Sequence, residues 1–214
     1  MTLRIVAHLA NGFAASDPWS PSIDAILGYW MLRDRMGDEE FSASQAVDSG
    51  MAPVEGIPLA MDSHDDLWWY LCSSPIYDQQ AEFLRYFHRR FDVQQAERYM
   101  EEKKGRVQVT AGPFKNFRLS SVVHACRTVT WHAEGDRAGV ALLLRRCHAI
   151  GSKIGSGNGR VLRWDVTEDG EAELARLHRP IPEDVAVVRE GVRMMWGFRP
   201  PGRLRENQSV CVMP

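Results

Sequence analysis

Residues 151–159 read Gly151-Ser152-Lys153-Ile154-Gly155-Ser156-Gly157-Asn158-Gly159, with four glycines in nine positions. The flanks decide how this stretch is read. Upstream, Asp136 is suited to cap a helix in which Val140, Leu143, Leu144, Cys147 and Ile150 fall on one side. Arg137, Ala141, Arg145 and His148 line the other side. Downstream, residues 160–166 have the character of a strand. A helix therefore feeds a strand through glycine. A nucleotide-triphosphate loop would end in Gly-Lys-Ser or Gly-Lys-Thr, and none is present. A dinucleotide fingerprint would need glycine where Arg160 stands, and it leaves a strand to open a helix, the reverse of the order here. Two readings remain. The loop is a flexible connection, or its small residues bring backbone N–H groups close to an anion, with Lys153 and Arg160 adding charge.

Working outward, Leu3, Ile5, Ala7 and Leu9 alternate with Arg4, Val6 and His8, a period-two strand. After a turn-rich stretch, Ser20 is a fitting N-cap and Pro21 a fitting first helical residue. Ile23, Ile26, Leu27, Trp30 and Met31 then share one helical face, and Gly37 ends the helix. Residues 38–66 are acidic and read as a surface loop, and residues 67–72 as a second strand. A third strand follows at 127–132, with Val129 and Trp131 on one face. Between them, residues 74–125 form a basic insertion expected to be rich in hairpins. With the insertion set aside, the order is strand, helix, strand, strand, helix, strand. This is the α+β, ferredoxin-like arrangement on which RNA-recognition domains are built. Residues 1–166 make up this domain. Residues 167–214 read as an extension packed on it: an acidic linker, a strand at 185–189, an Arg- and Trp-rich segment around Trp196, and a loose end.

The net charge of −2 over 214 residues conceals a strong asymmetry. Residues 1–80 carry −9, residues 81–163 carry +9 and residues 164–214 carry −2. A basic middle in a nearly neutral chain suggests a surface for a polyanion. Of the 26 basic residues 22 are arginine, whose planar fork grips phosphate and stacks on bases. A GC-rich genome would also favour arginine, but it would not cluster it. No stretch approaches a membrane span. The opening Met1-Thr2-Leu3-Arg4 runs straight into the first strand, unlike a secretory leader. The four cysteines are scattered with no Cys-x-x-Cys, so a disulfide scaffold and a zinc ribbon are poorly supported and a cytoplasmic setting is expected.

A ferredoxin-like chain with a glycine-rich loop between its last helix and last strand resembles the RAMP superfamily of CRISPR-associated RNA-binding proteins. More closely, it resembles the small RAMP subunit of type IV effector complexes, the counterpart of the subunit that binds the crRNA five-prime handle in type I systems. The stretches that carry the likeness are Leu3 to Leu9 with Trp19-Ser20-Pro21-Ser22-Ile23-Asp24, Ser73-Ser74-Pro75-Ile76-Tyr77, and Tyr86-Phe87-His88-Arg89-Arg90-Phe91. Gly112-Pro113-Phe114-Lys115 and the run from Arg145 to Trp164 complete them. The resemblance covers most of residues 1–166. It implies a non-catalytic subunit that grips crRNA, caps a filament of backbone RAMP subunits beside another small or large subunit, and meets target DNA in the assembled complex. It also implies that the basic insertion is a thumb hairpin wedged against RNA. No cofactor, metal or membrane is implied.

The expected RNA contacts are Arg85, His88, Arg89, Arg90, Lys103, Lys104, Lys115, Phe117 and Arg118 in the insertion. Arg145, His148, Gly151, Lys153, Gly155, Gly157, Gly159 and Arg160 form the second group. Phe114 and Phe117, flanked by Lys115 and Arg118, are placed to stack bases, a contact worth roughly 1–3 kcal/mol each. The alternative is a metal-independent crRNA-processing endoribonuclease, for which some relatives use histidine. His88 and His148 are the candidates here.

Overall fold

The computed structural model describes residues 1–37, 52–99, 108–112, 114–185 and 190–214. In chain order the elements are β1 (Thr2–Leu9), β2 (Phe13–Ala14), α1 (Ile23–Met36), β3 (Met61–His64), β4 (Leu67–Tyr70), β5 (Ala81–Arg89), α2 (Val93–Tyr99) and β6 (Phe117–Ala125). There follow β7 (Thr128–Glu134), α3 (Arg137–Leu144), β8 (Val161–Thr167), α4 (Ala172–Leu177), β9 (Ile181–Pro182), β10 (Arg193–Gly197) and β11 (Gln208–Val212). The protein is mixed α+β, built mostly of small antiparallel sheets. Among the described residues no helix is long and apolar enough to cross a membrane.

The alternation in β1 is realised in full. Leu3, Ile5, Ala7 and Leu9 are buried on one face. β1 is the centre of a sheet in which β7 and β8 flank it, both antiparallel. Beyond β7, Cys72 pairs with Ala133 and Ile76 with Thr130, again antiparallel. The Ser73 amide donates to His132 O and the Glu134 amide to Leu71 O. Four chain segments thus lie side by side in the order β8, β1, β7, residues 71–76.

The buried face is completed by Val129, Trp131 and Ala133 of β7, by Ile23 and Leu27 of α1 and by Val140 and Leu144 of α3. Truncating a fully buried member such as Ile5 or Leu27 to alanine costs about 2–5 kcal/mol. Asp136 caps α3 as its position suggests, its carboxylate accepting from the amides of Ala138 and Gly139 at 3.1 and 2.9 Å. The opposite face of the sheet is polar. One member, His132, is buried where α4 begins, its Nδ1 accepting from the Glu171 amide at 2.9 Å.

The structure departs from the sequence reading at several elements. α1 begins at Ile23 with Ser22, not Ser20, as N-cap, because the Pro21 carbonyl is taken by the Trp131 indole N–H at 3.0 Å. Residues 61–64 are not loop but β3, paired with β4 around a turn in which Asp65 adopts a left-handed conformation. Their polar composition belongs to an exposed strand. α3 stops at Leu144: the Cys147 amide turns back to Leu144 O, and Ala149 pairs with Arg160. Cys147 and Ile150 are buried from that irregular stretch, not from a helix.

The C-terminal end is not loose. β11 lies between β10 and β9, and Cys211, Val212 and Met213 are buried. Trp69 of β4 joins Phe198, Cys211 and Met213 in a second apolar cluster. Buried Arg179 donates to Phe198 O at 2.8 Å. The stretch read as an acidic linker contains α4. Of the strand expected at 185–189, residues 186–189 lie outside the described residues, as do residues 38–51, Lys103, Lys104 and Pro113.

Candidate nucleic-acid interface

The basic insertion contains one long antiparallel hairpin. β5 and β6 pair without a shift from Ala81 opposite Ala125 to Arg89 opposite Phe117. Pleating divides it into two faces. One presents Phe83, Arg85, Phe87, Arg89, Phe117 and Leu119; the other presents Leu84, Tyr86, His88 and Arg118. Phe83 is 49% and Leu84 56% exposed, and Tyr86, Phe117 and Leu119 are exposed as well. A two-stranded ribbon with bare aromatics on both faces buries little apolar surface of its own. Exposed apolar patches of this kind mark a binding surface.

Cations are interleaved with these rings. The Arg118 guanidinium lies 4.0 Å from the Tyr86 ring centroid, and that of Arg85 lies 5.7 Å from Phe87. At the tip, His88, Arg89, Arg90, Asn116, Phe117 and Arg118 surround an open groove of about 330 Å3, with no carboxylate in its lining among the described residues. His88 sits directly opposite Arg118. Phe114 packs against Phe91 with the rings tilted by 45° and their centroids 4.6 Å apart, and the Asn116 side chain accepts from the Phe91 amide at 2.7 Å. Phe114 remains exposed, and Lys115 stands two residues ahead of β6. The tip is a set of guanidinium, imidazole and ring groups suited to phosphates and bases.

The hairpin is held at its base. β2 pairs with β6 through Phe13 opposite His124 and Ala14 opposite Val123. His124 is buried among Phe13, Tyr77 and Gln79, whose side-chain oxygen lies 3.0 Å from Nδ1. Arg85 donates to the Asn158 side-chain oxygen at 3.1 Å. That bond connects the hairpin directly to the glycine segment.

The glycine segment divides into two parts. A β-carbon on Gly151 would fall 2.5 Å from Ala14 O, and one on Gly159 only 1.8 Å from Ile150 O. These two glycines serve close backbone packing. Gly155 and Gly157 have nothing within 4 Å of a β-carbon position, though Gly157 has φ +84°. They lie in and after a single 3-10 turn at Ile154–Ser156, preceded by Lys153 in the left-handed region. The amides of Ser156 and Gly157 are spent inside the turn, on Lys153 O and Ile154 O. Any amide contact to an anion therefore belongs to the exposed run from Lys153 to Gly155.

Arg145 and His148 line a groove beside β8, which also gathers Arg137 and Arg163. The insertion's described candidates thus collect on the hairpin, and the remaining candidates collect on the loop and this groove. Lys103 and Lys104 lie outside the described residues. Sequence reading missed Asn158, Arg137 and Arg163. Asn158 carries a signal in hindsight, an amide side chain between two glycines.

Burial pushes the Cys72 and Cys211 thiols up to about 12 and that of Cys126 up to about 11, and Cys147 is raised as well. All four are free and buried. No protein-family model matches this sequence, and no curated protein shows significant similarity to it.

Proposed function

We propose that this chain is a non-catalytic RNA-binding subunit of a type IV CRISPR ribonucleoprotein, gripping the five-prime handle of crRNA and capping a filament of backbone RAMP subunits. The observation that carries the reading is the exposed hairpin of alternating rings and arginines, tied through Arg85 and Asn158 to the glycine segment. Such a ribbon supplies the two elements of single-strand binding, cations for the backbone and π-faces for bases. The segment order β8, β1, β7, residues 71–76, all antiparallel, supports a ferredoxin-like domain, since its strands would run fourth, first, third, second. The hairpin leaves this sheet between the second and third of those strands, the place a thumb occupies in the RAMP family. Work in the cytoplasm and contact with target DNA follow from the same reading.

The test is an electrophoretic titration of the full chain with handle-containing crRNA, beside an Arg89→Ala/Arg118→Ala double variant. The expected result is a shifted, intact RNA that the double variant fails to shift. Equal affinity in the two proteins overturns the reading. Defined cleavage of repeat RNA in the presence of chelator replaces it with the endoribonuclease.

A further inference from the structure

Where the C-terminal extension meets the main domain, three parts of the chain line a cavity of about 20 Å3. The start of α1 contributes Ser22 and Asp24, the segment beside β7 contributes Cys72 and Ser74, and the extension contributes Arg179. Asp24 is 3%, Ser74 2% and Arg179 4% exposed, so acid, hydroxyl and base are all buried at this seam.

The lining carries more polar groups than the described residues satisfy. The Ser74 hydroxyl has no hydrogen-bond partner among them. The Asp24 carboxylate accepts a single bond among them, from the adjoining Ala25 amide at 2.8 Å, and meets no cation of theirs at ion-pair distance. Ser22 is the N-cap of α1, yet its hydroxyl accepts from no amide of the helix. Burying a hydroxyl costs free energy when no partner replaces the solvent it leaves, and burying a carboxylate costs more. Native structures rarely leave such groups unpaired.

Charge and size decide what can partner them. Burial raises the Cys72 thiol most; the Asp24 carboxylate raises it further and the Arg179 guanidinium opposes both. The Arg179 Nη1 lies 3.9 Å from that sulfur. Both charges therefore act on the same small space. Arg179 turns away a cation, and Asp24 turns away an anion. The guest must be neutral, must donate to a carboxylate and must exchange hydrogen bonds with hydroxyls. Holding one water takes roughly 10–15 Å3 and about two to four polar partners. A space of about 20 Å3 meets the first requirement, and Ser22, Asp24 and Ser74 meet the second.

We propose that this cavity is a binding site for one structural water, which donates to the Asp24 carboxylate and bridges it to the Ser74 and Ser22 hydroxyls. The water ties the start of α1 to the segment beside β7 at the seam with the extension. The inference goes beyond the RNA-binding reading and stands apart from it, since no residue of the site lies on the hairpin or the glycine segment.

The experiment pairs a high-resolution crystal structure of the full chain with thermal melting of Ser74→Ala, Asp24→Asn and the double variant. The density should show one ordered water within hydrogen-bond reach of the Asp24 carboxylate and Ser74 Oγ. A dry cavity, or a direct bond between those two side chains, overturns the proposal. Melting reads the same question through its sign. A buried hydroxyl with no partner is a burden, so removing it should leave the melting temperature unchanged or raise it. A hydroxyl bound to water should instead cost about 2–4 °C when removed, the shift one hydrogen bond gives in a chain of this size. Ser74→Ala melting at or above wild type therefore refutes the site. Ser74→Ala should also cost less in the Asp24→Asn background, because the two groups share one water. Strict additivity would show that they do not. If Asp24→Asn fails to fold, the density and the Ser74→Ala shift decide the matter.

Discussion

Replacing Gly159 by alanine tests whether the glycine segment is organised as described. Gly159 has φ +70°, and a β-carbon there would sit 1.8 Å from Ile150 O and 2.9 Å from the Ile150 carbonyl carbon. Its neighbours are backbone, so no side chain can swing aside. Its own N–H donates to Gly12 O and its carbonyl accepts from the Ile150 amide, both at 2.9 Å. Relief of the overlap must therefore disturb two further bonds. The left-handed conformation costs an L-residue roughly 1–2 kcal/mol, and an overpacked contact roughly 1–3 kcal/mol more. Together they amount to about 2–5 kcal/mol, or about 4–20 °C of melting temperature for a chain of this size. Gly157→Ala bears only the conformational term, since the space around it is open. Gly155→Ala bears neither and should stay within about 2 °C of wild type. Differential scanning fluorimetry of the three single variants reads the order directly. A Gly159→Ala protein that melts with the wild type, or a Gly155→Ala protein that melts lowest, would show that the close approach to Ile150 is not a feature of the folded chain.

Other outcomes follow from the interface. RNA affinity should fall steeply with salt, with a log–log slope of about −0.7 per phosphate contacted, and the hairpin double variant should show a shallower slope in the same titration. A flat wild-type profile would contradict phosphate binding by the arginine-lined hairpin. Phe117→Ala and Phe83→Ala remove exposed rings, so each should cost up to about 1–3 kcal/mol of RNA affinity. Neither should lower the melting temperature much, and a large loss of stability would instead place those rings in a core. His88→Ala should leave crRNA maturation intact in cells carrying the full operon, since among the described residues His88 stands with cations and no carboxylate lines its groove. Accumulation of unprocessed precursor in that variant would favour the nuclease. Burial holds the His132 imidazole below its ordinary value, against the opposing pull of the Glu171 carboxylate. Because the unfolded chain takes up the proton more readily, the stability from neutral His132 is complete above about pH 6.5 and declines as pH falls below it. Protonation also removes the Nδ1 acceptor used by the Glu171 amide. Melting curves between pH 7.5 and 5 should therefore slope down toward acid, and less so in His132→Gln.

Three strands of the central sheet, β1, β7 and β8, were legible because their burial is one-sided. The segment beside β7 was not, since it runs through residues 71–76, whereas residues 67–70 of the strand expected at 67–72 pair with β3 instead. Leu3, Ile5, Ala7 and Leu9 each point inward, and a period of two has no competing interpretation over seven residues. The same holds for the α1 stripe from Ile23 to Leu27 and for the Asp136 cap. Patterning failed where burial does not alternate. β3 is exposed at all four positions and looked like loop, and its partner β4 buries only Trp69 and Tyr70. The C-terminal strand β11 was missed because its apolar residues come in a consecutive run, Val210 to Met213, which a period of two does not mark. At the interface, clustered charge indicated the hairpin. It could not separate packing glycines from exposed ones: Gly151 and Gly159 match Gly155 and Gly157 in sequence and differ only in what approaches them. Nor could it show that Arg163 and His8 meet at the Asp165 carboxylate, since they are 155 positions apart and come together only through strand register.

The exposed hairpin also has a bearing on how much of this protein a cell can tolerate. Phe83, Leu84, Tyr86, Phe117 and Leu119 face water whenever nothing is bound. Such surface is harmless when covered and adhesive when bare. Copies made in excess of their partners would gather on one another or draw chaperones and proteases. If the surface takes RNA as proposed, balanced synthesis of chain and ligand then becomes a requirement of the fold itself. Purification of the chain by itself should yield less monomer than co-expression with the proposed crRNA.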